Sequence, residues 1–120
     1  MFKQKERVEK MKIAIPSTGK DMNSLMSETL GRSPFIVVYD SESKDLKSVE
    51  NPGFQSQDGS GLKVVEKILH TNANVLLTKQ IGRKAYSALQ AGHFKIELLD
   101  SGGTIKSILN KYLKKHDINN

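Results

Sequence analysis

Val75–Thr104, VLLTKQIGRKAYSALQAGHFKIELLDSGGT, is the stretch that decides the fold. It opens with Val75-Leu-Leu-Thr78, a short continuous apolar run of buried-strand character. Gly82 then starts a segment carrying Ala85, Tyr86 and Leu89 at helical spacing, and Gly92 stops it. Phe94-Lys-Ile-Glu-Leu-Leu99 returns as a strand, and Asp100-Ser-Gly-Gly103 turns the chain again. A strand, a helix and a second strand in so short a span make a parallel crossover, so the chain must build a sheet covered by helices.

The pattern extends in both directions. Thr104 is placed to cap a last helix whose Ile105, Ile108, Leu109, Tyr112 and Leu113 share one face, and its late lysines complement the helix dipole. Upstream, Asp58-Gly-Ser-Gly61 leads into Leu62, Val65, Ile68 and Leu69, an apolar stripe of helical period. Further upstream, Lys12-Ile-Ala-Ile-Pro16 reads as the first strand and Phe35-Ile-Val-Val-Tyr39 as the second. A polar loop with a short helix is expected between them, from Ser17 to Leu30. The turn cluster Asp40–Asp45 folds Leu46–Glu50 back as a third strand, which Asn51-Pro52-Gly53 ends.

The layout is an α/β fold: three layers, α/β/α, around a mixed five-stranded sheet, similar to the ribonuclease H-like motif. Residues 1–10 read as a polar extension and 11–120 as one domain, with Met11 a candidate initiator. A nuclease is excluded, because two-metal cleavage needs a carboxylate on or beside the first strand to hold ions about 4 Å apart. Lys-Ile-Ala-Ile-Pro has none.

The 120 residues carry 19 Lys+Arg against 13 Asp+Glu, a formal charge of +6. Its distribution matters more than its size. Residues 1–12 and 106–120 are each +3, while the 93 residues between them hold ten basic and ten acidic groups. No aromatic interleaving or nucleic-acid motif accompanies the basic ends, so solvated lysines explain them better than nucleic-acid binding does. With no cysteine, the chain has no disulfide, thiol nucleophile or thiolate ligand of its own. No apolar run reaches the roughly 20 residues of a membrane span, and the first residues lack the apolar centre of a secretory signal. The expectation is a cytoplasmic protein with no membrane partner.

In α/β sheets, ligands bind beyond the carboxyl ends of the parallel strands. Four segments should meet on that rim: Pro16–Gly19 with Ser17, Asp58–Gly61 with Gly59, Thr78–Arg83 with Lys79 and Gly82, and Asp100–Thr104 with Gly103. Open amides at helix starts suit an anion, and Arg32, Lys79 and Arg83 would add positive charge. Ordinary turn and cap roles account for the same glycines. Neither a GxGxxG nor a GxxxxGK[ST] motif is present. His70, His93 and His116 have no metal-pair spacing and read as solvated or capping residues. Ser17, Ser60 and Ser101 lack a G-x-S-x-G frame.

Several segments occur together in a familiar order: Met11–Ser17, Ser27-Glu-Thr-Leu-Gly-Arg-Ser-Pro34-Phe35, Val49-Glu-Asn-Pro52, Gly59-Ser-Gly61, and Leu77-Thr-Lys-Gln-Ile-Gly82 with Ala88–Gly92. Over residues 11–115 the chain resembles the dinitrogenase iron-molybdenum cofactor-binding family, the nitrogenase accessory factor-like proteins. The resemblance implies a non-enzymatic protein that carries or delivers an iron-sulfur or iron-molybdenum-sulfur cluster or its precursor, with a protein partner in delivery and a homodimer as further expectations. The implied cofactor-binding positions are Ser17, Thr29, Gly31, Arg32, Gly59, Gly61, Thr78, Lys79, Gly82, Gly103 and Thr104.

The sequence departs from the family where Thr29-Leu30 replaces a frequent His-Phe, Lys79 a frequent Gly, and Arg83-Lys84 a frequent Pro-Asn. Direct ligation would fall to groups such as Met22, Met26, His93 or a carboxylate, and methionines at such spacing are more often packing. The alternative is a module that has kept the fold, lost cluster ligation and reads another small anion.

Overall fold

The computed structural model describes residues 11–54 and 60–116. Strands β1 (Lys12–Ser17), β2 (Phe35–Asp40) and β3 (Leu46–Glu50) precede α1 (Ser60–His70), β4 (Val75–Thr78), α2 (Arg83–Ala91), β5 (Lys95–Leu98) and α3 (Ile105–Lys115). They form one five-stranded sheet in the order β3-β2-β1-β4-β5. β1, β2 and β3 pair antiparallel in sequence, with Ile15 opposite Val37 and Val37 opposite Ser48. β4 runs parallel to β1 on one side and to β5 on the other. The mixed sheet is compatible with the ribonuclease H-like motif.

Alternation along β1 and β4 assigns the two faces. Ile13, Ile15, Val75 and Leu77 point to the side where α3 packs, while Ala14 and Leu76 point to the side of α1 and α2. Helices therefore lie on both faces, giving three layers. All five expected core residues of α3 are buried, and the Thr104 side chain accepts a hydrogen bond from the Ser107 amide as an N-cap.

Two expectations need correction. No helix forms between Ser17 and Leu30. Asp21 instead turns the chain through its own backbone and side chain, accepting from the Ser24 and Asn23 amides, and such short polar groups compete with helix formation. The buried stripe of α1 is Val64, Val65 and Ile68, leaving Leu62 51% and Leu69 44% exposed on one side of it. The sequence spacing had marked the edge of that face. Among the described residues, no helix is long and apolar enough to cross a membrane.

Candidate functional site at the carboxyl rim

The parallel strands β1, β4 and β5 end on the same side of the sheet, and so does β3, because β2 reverses between β1 and β3. The segment 17–33 crosses this end and ties the strand exits together through isolated bridges. Ser17 pairs with Met26, Leu25 with Thr104, and Thr29 with Gln80. The predicted rim segments at Ser17, Thr78–Arg83 and Gly103–Thr104 are thus joined by the loop between β1 and β2. Gly59 lies outside the described residues.

The structure divides the predicted residues into two groups. Around α3 the backbone is closed on itself. The amides of Ile105 and Lys106 donate to Ser24 O and Met22 O, both at 2.9 Å, and the Ser107 amide goes to Thr104 Oγ1 at 3.1 Å. These are the groups a helix start normally leaves open. Gly103 serves the same closure: its carbonyl accepts from the Met26 amide, and at φ 144° a side chain would be strained and would meet Ser107 Oγ at 2.8 Å. Gly19 is likewise structural, since a Cβ there would collide with the Ser24 hydroxyl.

Around α2 the backbone is open. Gly82 is the N-cap and offers no side chain; its carbonyl accepts from the Tyr86 amide. Among the described residues, the amides of Arg83, Lys84 and Ala85 have no acceptor. Gly61, in the first turn of α1, abuts this point, with the position of a Cβ 3.6 Å from that of Ala85. Arg83 is exposed, and so is Arg32, which follows Leu30 by two residues; the Leu30 amide donates to Gln80 O at 3.1 Å. Neither arginine has an ion-pair partner among the described residues.

Lys79 lies between the two groups, and its charge is already answered. Its Nζ is 3.1 Å from Glu28 Oε1, and its stem passes Gly102. Ser17 and Thr78 are fully buried, with hydroxyls donating to Gly19 O at 2.7 Å and Gln80 O at 3.2 Å, so both shape the turn that leaves their strand. Thr29 is half-buried beside Gln80.

The decisive residue that sequence reading passed over is Asn51, 5% exposed. Its Nδ2 donates to Ser33 O at 2.8 Å and Leu30 O at 3.2 Å, and its Oδ1 accepts from the Gly53 amide at 2.9 Å. It holds the Gly31–Arg32 turn in place. Its position before Pro-Gly marked it only as a turn residue. Ser27 is 7% exposed and its hydroxyl has no partner among the described residues.

No imidazole reaches the rim. His70 ends α1, His93 sits at φ 66° in the turn before β5, and His116 caps the end of α3, all toward the opposite end of the sheet. This corrects the inclusion of His93 among candidate ligands. Met26 is buried in the core under α3 and Met22 packs against it, which is packing. Among the described residues no group of three or more His, Cys, Asp or Glu is placed to hold a metal ion. The basic carboxyl-terminal segment spans both ends of the sheet: Lys106 begins α3 at the rim, whereas Lys114 and Lys115 end it at the base. Residues 1–10 lie outside the described residues.

Residues 11–115 match the family described as dinitrogenase iron-molybdenum cofactor. The chain belongs to that family. This family member is similar to the apo form of the orange protein from Desulfovibrio gigas, at 27% identity and a TM-score of 0.83, covering 89% of this chain and 90% of that one. It is also similar to a NifB-like protein from Thermotoga, at 31% identity and a TM-score of 0.77, covering 87% and 88%. A dinitrogenase-like protein from Methanocaldococcus jannaschii, at 14% identity and a TM-score of 0.57 over 92% of each chain, shares the fold. No curated protein matches this family member significantly.

Proposed function

We propose that this protein is a non-enzymatic carrier or accessory protein whose cargo is an anionic iron-sulfur or iron-molybdenum-sulfur cluster, or a precursor of one, held by charge and hydrogen bonds without ligation. The observation that carries this reading is the open start of α2, in a member of this family: amides of Arg83, Lys84 and Ala85 without acceptors among the described residues, Arg83 beside them, and Arg32 on the loop bridged to Gln80. A sulfide-surfaced anion can use N–H and guanidinium donors directly, and the helix dipole favours its charge.

The donor set sets the mode of binding. With no cysteine and no imidazole on the rim, the residues fit an electrostatic cradle and do not fit a coordination site. The implied positions then divide by role. Gly82 and Arg32 contact the cargo, with Gly31 in the turn that presents Arg32 and Gly61 at the adjoining helix start; Ser17, Thr78, Gly103 and Thr104 shape the rim; Lys79 contributes once Glu28 lets it go. Anaerobic mixing with an iron-molybdenum-sulfur cluster, followed by gel filtration and visible absorption, tests the reading. The chromophore should comigrate with micromolar protein and be lost in Arg32→Ala/Arg83→Ala; a chromophore that never comigrates ends it.

A small-anion-binding or regulatory module is the second reading, favoured by Thr29 standing where the family often has histidine. Thermal unfolding with molybdate and with phosphate separates the two, since a ligand at about 100 times its Kd adds roughly 2.7 kcal/mol. Stabilisation by these oxyanions without cluster binding would favour the module.

A further inference from the structure

The two faces of the sheet are not covered alike. α1 and α2 share one, and α3 lies alone on the other. With strands about 4.8 Å apart and a helix roughly 10 Å across, one helix cannot span five strands. α3 sits over β1, β2 and β4, where Ile13, Val37 and Leu77 join its core. The β5 side is left as a groove of about 460 Å3, within the range of small-molecule sites.

Two rows of α3 face this groove at a spacing of four. Ile108 and Tyr112 form an apolar floor; Ser107, Lys111 and Lys115 form a polar lip. β5 and the residue after it supply Glu97 and Leu99. Glu97 is committed to Lys115 at 2.7 Å, so Lys111 is the lip cation with no ion-pair partner among the described residues.

Tyr112 is 3% exposed, yet its Oη has no hydrogen-bond partner among the described residues. Such groups are rare in native interiors, because an unsatisfied buried hydroxyl costs on the order of 1–3 kcal/mol. Burial first, and then the charge of Glu97, pushes the phenol above its usual range, so it remains a donor at neutral pH. A donor of this kind lining the same groove as an ammonium with no ion-pair partner among the described residues calls for an acceptor that carries negative charge. Leu99 and Ile108 call for an apolar body, and Asp100 at the rim end disfavours a second negative charge.

We propose that the groove between β5 and α3 is a binding site for a small monocarboxylate with a flat apolar body, its carboxylate taken by Tyr112 Oη and Lys111 Nζ and its body lying on Ile108 and Leu99. The site is separate from the α2 entrance and does not depend on cluster binding there.

Benzoate is the probe, titrated into the 15N-labelled full chain while amide shifts are followed, with benzyl alcohol and inorganic phosphate as controls. Saturable shifts are expected at Leu99, Ser107, Lys111 and Tyr112. Tyr112→Phe and Lys111→Met should each weaken binding about fivefold, the scale of one hydrogen bond. Benzyl alcohol should bind more weakly, and phosphate should leave these amides unmoved. The proposal is overturned if benzoate gives no saturable shift there, if it shifts only Arg32 and Arg83, or if both variants bind unchanged. Should Tyr112→Phe fail to fold, Lys111→Met decides alone. Shifts that track protein concentration and ignore benzoate would mean that a second copy covers the groove, which also overturns it.

Discussion

Of the helix starts at the rim, those of α2 and α3 differ in what their amides do. At α3 the loop 17–33 has already filled the opening, with Ser24 O, Met22 O and the Thr104 hydroxyl each holding an amide. At α2 the cap is a glycine, and the Arg83, Lys84 and Ala85 amides have no acceptor among the described residues. Both starts follow a strand and a glycine-containing turn, so both qualify as anion sites by topology. Of these two, only the α2 start leaves its amides without acceptors among the described residues. Proximity to the carboxyl rim is therefore insufficient; backbone bookkeeping decides which segment can bind.

The largest effect should come from the residue that supports the open side. Asn51→Ala strips donors from Leu30 O and Ser33 O and an acceptor from Gly53 N in a buried setting, and should cost about 3 kcal/mol in denaturant unfolding. It should also release the Gly31–Arg32 turn, so the folded fraction binds cluster poorly. An Asn51→Ala protein of full stability would break the claim that this amide holds the turn.

Next in size is the contrast between the two starts themselves. Arg83→Ala should weaken cluster or oxyanion binding about tenfold, equivalent to ~1.4 kcal/mol, with little change in stability because the side chain is exposed. Thr104→Ala should do the converse, lowering stability by about 1 kcal/mol through the lost cap while leaving binding intact. Paired binding isotherms and urea titrations check both, and an exchange of the two outcomes would reverse the assignment.

Stability at high pH gives a smaller and independent readout on the α3 face. Tyr39 and Tyr112 are both pushed above the ordinary value of 10.0, Tyr39 by burial and then Asp40, Tyr112 by burial and then Glu97. The folded state therefore keeps protons that the unfolded state releases. The stabilisation is complete below about pH 10 and is lost as pH rises past it. Unfolding free energy should fall above that point, and Tyr39→Phe/Tyr112→Phe should flatten the decline.

The smallest effect is expected at Lys79. Glu28→Gln removes an exposed carboxylate whose ion pair is worth about 0.5 kcal/mol or less. It should leave stability unchanged and raise anion affinity a few-fold at low salt by freeing the ammonium, a gain that added salt suppresses.

What could be read from the chain follows from how local each signal is. The α3 face repeats at three and four residues, and a Thr cap is a property of four consecutive positions, so both are written in adjacent letters. The same locality misplaced α1, where Leu62 and Leu69 fit the period yet lie beside the buried stripe; only the packing of the sheet chooses among neighbouring faces. The loop from Ser17 to Leu30 was illegible for a related reason. Its structure is backbone pairing to Gly103, Gln80, Ile105 and Lys106, partners fifty or more residues away, and backbone pairing leaves no residue-type signature. Arg32, Lys79 and Gly82 can be proposed from the chain because charge and glycine are visible in the letters, whereas the ion pair of Glu28 with Lys79 and the clamp made by Asn51 depend on distance.

The most direct test of the open start of α2 is an amide-resolved titration with tetrathiomolybdate, a diamagnetic molybdenum-sulfur dianion, against the 15N-labelled protein under anaerobic conditions. Saturable shifts at Arg83, Lys84, Ala85 and the Gly31–Arg32 turn, with Ile105 and Lys106 unmoved, are the predicted result. Shifts centred on Ile105 and Lys106, or none at Arg83 to Ala85 at saturation, would contradict it.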